Sequence, residues 1–471
     1  EINLALLQRV NYSLNNKDRI EFKLFTGNTA TIKTFAGEEL DGYEKEYSIL
    51  CADIDNARQV EELMEKMLPL ALQTWEAATT LPETAAGLRS FLIEAIEDAA
   101  FGDEVYVQKL RFPDEIGNTT FSLAGTANND KEEEYTFNLA DLYAQGIKLV
   151  VKSQRVQLEM GTRKQRKFIE QKEEGDLRFI NEVTFYFEDV EDAQVVQYAI
   201  KTLIPLAEKA YEASLPQYTS TVQAASSLAE TLGRAKLSDI EQSLEGGCQV
   251  KLNREEVGRS TKIKDYSFDF ADLNGKEIKI TTSGEKVNVS AFTKEKQRFV
   301  YFEEEGESKP YVNEVEVFFP SIAEAKLTEY TLGYLTENCP NEVGIPSKEA
   351  LLSLLNNDNL EEGNLSQAAE LLAGSPCKMQ LTQIESTAKK SKDLVYEFNV
   401  YDLNPASAKV EVKGTQVTVA FYTNKKEDIV QELENDEKQT YTDGVSFHVA
   451  DVPTGKQVAA GIAEMAKTCG E

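Results

Sequence analysis

Apolar and polar residues alternate along short segments of this chain, and the alternation predicts β-strands. In the segment 286–292, Val287 and Val289 fall on one face, and Asn288 and Ser290 fall on the other. Because successive side chains of a strand point to opposite faces, this segment predicts a strand with one buried face and one wetted face. In the same part of the chain, further strands are predicted at 249–252, 266–273, 277–282, 297–303 and 312–319.

Turns and helices are predicted around these strands. Asn274-Gly275 and Ser283-Gly284 are turn signals between neighbouring strands, which favours antiparallel hairpins. A helical spacing of apolar residues follows Thr84, with Leu88 and Leu92 on one side. A second kind of helix is predicted after residues that can cap free backbone amides and complement the helix dipole, namely Asp53, Asp189, Ser321 and Asp451.

One eight-residue motif, Tyr-x-Phe-[Asn/Asp]-x-x-Asp-Leu, is written three times at a nearly constant spacing. The copies begin at Tyr135, Tyr266 and Tyr396, and a worn fourth copy begins the chain near Ile2. We expect the Tyr and Phe to face a core. We expect the Asp of each copy to accept backbone amides in the turn that follows, which concerns Asp141, Asp272 and Asp402.

The repeat predicts a tandem array of one domain. Short, turn-rich joints give the boundaries as a truncated first repeat at 1–79 and further repeats at 80–216, 217–343 and 344–471. Glu1 aligns with the interior of a strand in the other copies. Because a domain that begins inside a sheet would have an open edge and core, we expect that the sequence was cut from a longer precursor or is a part of one.

The order of elements predicts the fold class of each repeat. An N-terminal helical segment, a small curled antiparallel sheet of about five to six strands and a closing C-terminal helix form an α+β domain. This order loosely resembles the pleckstrin-homology superfold, which is also a curled antiparallel sheet closed by one helix. The resemblance covers element order alone, so it implies no function.

The repeat also sorts the five cysteines. Cys339 and Cys469 occupy one position of the repeat, at the end of the closing helix, and Cys248 and Cys377 occupy another, just before a strand. The repeat at 80–216 contains neither partner. Paired gain and loss is what disulfides predict, so we expect the bonds Cys248–Cys339 and Cys377–Cys469. Free buried thiols are the alternative, and Cys51 is expected to be a small core residue.

Disulfides predict an oxidising location, that is, a secreted, periplasmic or cell-surface protein. The charge adds to this picture: 81 acidic against 50 basic residues give a net charge of −31. Because nucleic acids and anionic membrane surfaces are bound by clustered Lys and Arg, this charge disfavours both as partners. No segment is apolar over a membrane-spanning length, so membrane insertion is not expected.

Signals for catalysis, cofactors and metals are weak. The single histidine, His448, lies in a predicted strand where the other copies have apolar or aromatic residues, which is typical of packing or surface. No nucleophile, zinc or phosphate-loop motif is present, so we expect no cofactor and no metal. Calcium is the alternative near 128–130 or 356–359, although neither segment has helix-loop-helix ligand spacing. Because Asp and Glu are abundant, a pair of carboxylates suited to hydrolysis is a further alternative.

Two further features recur between the copies. A basic turn follows a Thr, and its cations are candidates for partner binding against the alternative of a solvated hairpin: Arg163, Lys164, Arg166, Lys167, Lys294, Lys296 and Arg298. An aromatic residue recurs at Tyr43, Phe179, Tyr311 and Tyr441, and a periodic aromatic is expected in the core.

These observations favour a non-enzymatic, extracellular or cell-surface protein. It would act as a scaffold, spacer or accessory subunit, alone or within a larger complex, because repeated domains with divergent surfaces build length and valency. The expected partner is a protein or a glycan. The alternative is a carboxylate-based hydrolase or ligand-binding protein with a pocket in one repeat, which a carboxylate-lined cleft with shifted pKa values would favour.

Overall fold

The chain divides into two compact units in the computed structural model, which describes residues 1–14, 19–27, 29–126, 131–340, 343–360, 365–386, 391–435 and 437–469. The first unit comprises Glu1–Gln217 with Thr281–Glu285, and the second comprises Tyr218–Ile280 with Lys286–Glu471. The division after Gln217 lies beside the predicted boundary at 216 and 217. The boundaries predicted inside each unit stay predictions.

The first unit contains three helices and fourteen strands among its described residues. The helices are α1 (Ile54–Ala78), α2 (Ala85–Ala95) and α3 (Val190–Ser214). The strands are β1 (Arg9–Leu14), β2 (Ile20–Phe25), β3 (Ile32–Ala36), β4 (Glu39–Glu44), β5 (Glu46–Cys51), β6 (Ala99–Phe101), β7 (Glu104–Arg111), β8 (Asn118–Gly125), β9 (Glu132–Asn138), β10 (Lys148–Lys152), β11 (Arg155–Gly161), β12 (Ile169–Glu173), β13 (Asp176–Ile180) and β14 (Glu182–Phe187).

The second unit contains four helices, which are α4 (Thr221–Arg234), α5 (Ile322–Asn338), α6 (Lys348–Leu355) and α7 (Val452–Thr468). The strands from Ile240 onward are β15 (Ile240–Gly246), β16 (Gln249–Val257), β17 (Thr261–Asp269), β18 (Lys279–Ser283), β19 (Lys286–Phe292), β20 (Val300–Glu304), β21 (Glu307–Val312), β22 (Glu314–Phe319), β23 (Asn357–Leu360), β24 (Leu365–Leu371), β25 (Lys378–Ser386), β26 (Ser391–Asn399), β27 (Lys409–Lys413), β28 (Gln416–Tyr422), β29 (Val430–Glu434), β30 (Glu437–Thr442) and β31 (Gly444–Val449). They belong to the second unit, except that the last three residues of β18 are assigned to the first.

A large antiparallel sheet and a three-stranded sheet recur together along the chain. The large sheets have the orders β13-β12-β9-β8-β7-β6, β15-β16-β17-β20-β21 and β23-β24-β25-β26-β29-β30. The small sheets have the orders β10-β11-β14, β18-β19-β22 and β27-β28-β31. Near the start of the chain only the small sheet β1-β2-β5 and the hairpin β3-β4 are present among the described residues. The predicted mixture of helices and antiparallel sheets, an α+β class, is therefore confirmed, with two sheets where one was expected.

The strand boundaries show where alternation is a sufficient signal. β19 has the predicted bounds, whereas the predicted strand 266–273 ends at Asp269, because a 3₁₀ turn begins at Phe270. The predicted strand 312–319 is divided at Asn313 between β21 and β22. β15 was not predicted, since its inward position 242 is a polar glutamine.

The repeated motif forms the end of a strand and the 3₁₀ turn after it. The fourth residue of each copy caps the turn: Asn138 Oδ1 accepts from the Ala140 amide at 2.8 Å, and Asp269 Oδ1 accepts from the Ala271 amide at 2.9 Å. This amide-accepting role was expected of the seventh residue. The final Leu of each copy is fully buried and forms an isolated bridge to the Thr of the basic turn, at Leu142–Thr162, Leu273–Thr293 and Leu403–Thr423.

A buried glutamine joins the two sheets at equivalent places. The side chain of Gln242 in β15 donates to the Phe318 carbonyl at 2.7 Å and accepts from the Phe318 amide at 2.9 Å. Gln108 makes the same pair of bonds with the backbone of Tyr186, and Gln367 makes it with His448. Because a buried amide side chain must find partners for its donor and its acceptor, these bonds fix the position of one sheet on the other.

Two disulfides join the end of a closing helix to the start of a strand in the second unit. Cys248, just before β16, is bonded to Cys339 at the end of α5, and Cys377, just before β25, is bonded to Cys469 at the end of α7. These are the pairs that the repeat predicts. Cys51 is a free thiol at the end of β5 and packs, partly buried, against an apolar cluster. Among the described helices, none is long and apolar enough to cross a membrane.

Candidate functional site

A cavity of about 560 Å³ lies in the second unit, where strands of the predicted repeat 217–343 meet the start of α7. One wall is aromatic and comes from the β20–β21 hairpin and the residue just before it. Polar and apolar residues line the rest of the cavity, and we call the polar ones its polar wall. The side chains that matter for its chemistry are Gln249, Asp269, Asp272, Phe299, Tyr301, Tyr311, Asp451 and Lys456.

Backbone contacts hold the two walls in place. The Tyr311 amide in β21 donates to the Gly414 carbonyl at 3.0 Å, which ties this hairpin to the turn between β27 and β28. On the other wall, Asp451 caps α7 because its Oδ1 accepts from the Thr454 amide at 2.8 Å. Pro453 occupies the first turn of the helix, where its missing amide hydrogen costs nothing. Hydrogen bonds therefore hold both the hairpin and the start of α7 at the cavity.

A mostly buried ion pair lines the cavity, and we call it the floor of the cavity. Lys456 Nζ on α7 bonds to Asp272 Oδ1 in the repeated motif, and 9% of the Asp272 side chain and 19% of the Lys456 side chain are exposed. Burial raises the pKa of the Asp272 carboxyl, and the hydrogen bond and charge of Lys456 oppose the rise. Lys456 Nζ also lies 5.9 Å from the centre of the Phe299 ring. Lys456 is thus engaged by the protein itself.

Two tyrosines form the aromatic wall. The rings of Tyr301 and Tyr311 meet edge to face with centroids 5.3 Å apart. Tyr301 Oη lies 2.9 Å from Glu303 Oε1 and 2.6 Å from Ser308 Oγ. Burial raises the pKa of both phenols, and the charge of Asp451 raises the pKa of Tyr311 further. Both tyrosines are therefore neutral phenols that offer ring faces and hydrogen bonds.

In the first unit, the corresponding contact between a hairpin and the start of a closing helix is made by a cluster of ion pairs. Register places Lys33 where the second unit has Tyr301, and Lys33 Nζ lies 2.6 Å from Asp189 Oδ2 and 3.3 Å from Glu191 Oε2. Tyr43, the counterpart of Tyr311, lies beside this cluster, and burial raises its pKa to about 12. The recurrent aromatic was predicted to lie in the core, which is confirmed at Phe179 and Tyr311; Tyr43 is partly buried, and Tyr441 is 45% exposed, contrary to the prediction.

One residue of the basic turns, Lys294, lies near Asp272 and Lys456, and several of the basic residues are used by the fold. Arg163 Nε donates to the Leu142 carbonyl at 3.3 Å, and its guanidinium pairs with Glu208. Lys294 Nζ donates to the Ala271 carbonyl at 2.6 Å. The guanidinium of Arg166 lies over the Phe168 ring. The remaining candidates, Lys164, Lys167, Lys296 and Arg298, are exposed, and their role in partner binding stays a prediction.

The described residues contain no group of three or more His, Cys, Asp and Glu side chains that could hold a metal ion. The calcium candidate at 128–130 lies outside the described residues. At the other candidate segment, Asn356 Oδ1 accepts from the Ala369 amide at 2.6 Å. The backbone amide and carbonyl of His448 are the hydrogen-bond partners of the sheet-joining Gln367.

Sequence reasoning did not find this cavity, although one signal was present. At the position of Tyr301, register places Glu170 and Gln431 in the neighbouring repeats, so the repeat at 217–343 departs here from the other two. A residue that differs between otherwise matching copies is a candidate for a function that only one copy has. Lys456 gave no such signal, because it meets Asp272 only through the fold.

No protein-family model matches this sequence, and no curated protein and no solved structure matches the chain.

Proposed function

We propose that this protein is a non-enzymatic extracellular or cell-surface protein whose repeated α+β modules carry a binding site for a neutral glycan. The site is the cavity between the β20–β21 hairpin and the start of α7. The modules would be those at 1–79, 80–216, 217–343 and 344–471, with a loosely pleckstrin-homology-like plan. The recurring pairs of large and small sheets support this division.

The composition of the cavity walls is the observation that supports a glycan as the ligand. Sugar rings have apolar faces that pack on aromatic rings, and hydroxyl groups that pair with carboxylates and amides. The cavity offers Phe299 and Tyr301 for the first contact, and Gln249, Asp269 and Asp451 for the second. A ligand with a negative charge is disfavoured, because the nearby carboxylates repel it and Lys456 is already paired.

Two further observations support the extracellular part of the proposal. Disulfides persist in oxidising surroundings, and this chain has two of them, in corresponding positions. The net charge of −31 favours solubility and disfavours adhesion to anionic membrane surfaces. A scaffold or spacer role is compatible with the same site, since repeated modules can hold a bound glycan away from a surface.

Calorimetric titration of the whole protein with neutral hexasaccharides of glucose, xylose and mannose tests the proposal. We expect saturable binding of at least one of them, weakened at least about tenfold in Tyr301→Ala, because a stacking face is lost. Tyr401→Ala is the matched control, since Tyr401 is half exposed and does not line the cavity. No binding to any hexasaccharide, or binding that ignores Tyr301→Ala, would remove the support for a glycan site here.

A carboxylate-based hydrolase is the second candidate, and the pKa of Asp272 is the observation that favours it. A general acid must hold its proton near neutral pH, and burial raises the Asp272 pKa in that direction. The ion pair with Lys456 works against this role, because it stabilises the charged carboxylate. If the parent protein cleaves a bound oligosaccharide and Asp272→Asn does not, the protein is a hydrolase.

A further inference from the structure

A second cavity, of about 410 Å³, lies beside the cavity described above and in the same unit of the chain. The two cavities share four lining residues, among them Asp272, Phe299 and Lys456. Residues that line both cavities lie at their boundary. The ion pair between Lys456 and Asp272 and the ring of Phe299 therefore stand between two directly adjacent spaces.

Small apolar side chains line part of the second cavity. Ala408 and Val410 come from β27 and the residue just before it, and Ala459 comes from α7. Because residues three apart on a helix are neighbours, Ala459 continues the surface of α7 beyond Lys456. Together with Phe299, these side chains offer apolar surface and leave room for a ring.

The basic turn after β19 supplies polar groups to the same cavity, namely Lys294, Glu295 and Gln297. Lys294 Nζ donates to the Ala271 carbonyl at 2.6 Å. An ammonium group has three donors, so Lys294 can also donate to a ligand. The amide of Gln297 can donate and accept, and the carboxylate of Glu295 can accept. Such groups pair with the hydroxyls of a sugar.

The charges around the second cavity cancel. Two cations, Lys294 and Lys456, line it together with two carboxylates, those of Asp272 and Glu295. A neutral ligand therefore meets hydrogen-bonding groups without a net electrostatic attraction or repulsion. Because the first cavity disfavours an anion, one neutral ligand suits both cavities.

Both cavities open to solvent, because exposed residues line each of them. Gln249 and Asp451 are exposed at the first cavity, and Lys294 and Glu295 are exposed at the second. A chain-like ligand can therefore continue beyond either cavity. This arrangement favours an internal segment of a chain over a chain end.

We propose that the two cavities form one groove that binds an internal segment of a neutral glycan chain. The groove extends the glycan site proposed above and rests on it. The aromatic wall with Tyr301 contacts sugar rings in the first cavity, and the surface around Ala459 contacts rings in the second. Because the rings are covalently linked, contacts in the second cavity add to those in the first, and affinity rises with chain length.

Calorimetric titration of the whole protein with two chain lengths tests the groove. The probes are the trisaccharides and hexasaccharides of glucose, xylose and mannose. We expect the hexasaccharide of the sugar that binds to bind at least about tenfold more tightly than its trisaccharide, because only the longer chain reaches both cavities.

A variant that fills the second cavity separates the two halves of the groove. Ala459→Trp should lower the affinity for the hexasaccharide to about that for the trisaccharide, and leave the trisaccharide affinity unchanged. Retained trisaccharide binding also shows that this variant is folded. Ala459→Ser is the matched control, because it keeps the side chain small. Tyr301→Ala should weaken the binding of both lengths, since it acts on the first cavity.

Two results would overturn the groove and leave the glycan site of the first cavity standing. One is equal affinity of the parent protein for the two chain lengths, and the other is a hexasaccharide affinity that Ala459→Trp does not lower. The comparison of lengths needs no variant, so it decides even if Ala459→Trp does not fold. No binding of either length would overturn the glycan site itself, and the groove with it.

Discussion

Replacement of Lys456 by Met isolates the ion pair in the floor of the cavity. The substitution keeps the length and most of the volume of the side chain, and it removes the partner of Asp272. Since 9% of the Asp272 side chain is exposed, its carboxylate would be left almost fully buried without its partner. Breaking such a pair costs about 3 kcal/mol at neutral pH.

The pH dependence follows from the direction of the Asp272 pKa. Burial already holds this pKa above its ordinary value, and Lys456 opposes the rise, so its removal raises the pKa further. A folded-state pKa above the unfolded one means that the folded state binds the proton more tightly. The stability contribution is then fully present below the unfolded pKa and is lost as pH rises through the folded pKa. The deficit of Lys456→Met should therefore be largest near neutral pH and shrink in acid.

Hydrogen exchange of the α7 amides across a urea series measures this free energy in the second unit, since the only tryptophan, Trp75, lies in the first unit. We expect Lys456→Met to lose about 3 kcal/mol relative to the parent near pH 8, and markedly less near pH 4. Lys467→Met is the control, because its pair with Glu464 on the same helix is exposed. A deficit of the same size at both pH values would refute the assignment to a buried, unpaired Asp272.

Three further predictions concern the fold. Reduction of the Cys248–Cys339 bond should cost the second unit about 4 to 5 kcal/mol of stability in the chain-entropy model. Dithiothreitol should therefore accelerate amide exchange in α5 and leave α3 unchanged. Equal acceleration in both helices would contradict a stabilising role of this disulfide. Gln242→Ala should cost about 2 to 3 kcal/mol in urea unfolding, because the Phe318 amide and carbonyl lose their partners. Phe185→Ala should cost about 3 to 5 kcal/mol and Ile49→Ala less than about 1 kcal/mol, since only Phe185 is buried, and similar losses would contradict this difference in burial.

Local patterns predicted the features that each repeat builds from neighbouring residues. The strand Lys286–Phe292 follows from strict alternation, and the disulfides follow from cysteines that recur together. The motif was recognised as the end of a strand and a turn, although the amide acceptor in the turn is Asp269 rather than Asp272. A turn position three residues away has the same polarity, so composition alone could not separate the two.

Features that depend on distant residues could not be predicted in the same way. β15 was missed because Gln242 faces inward, and a buried amide is satisfied only by a second sheet that the pattern does not reveal. The cavity floor joins Asp272 to Lys456, which lie far apart in the sequence. The basic turns were visible as charge, yet the contact of Lys294 with the Ala271 carbonyl depends on the hairpin geometry. Long-range contacts of this kind determine the site, whereas periodicity determines the elements.

We infer that the second-unit cavity binds a glycan without cleaving it. A single sample decides this: the hexasaccharide that binds is incubated with the protein at saturation, and binding and product mass are followed together over time. We predict saturable binding that Tyr301→Ala weakens at least about tenfold, with the sugar recovered at its original mass. Cleavage products that form with the parent protein and disappear with Asp272→Asn would contradict the account.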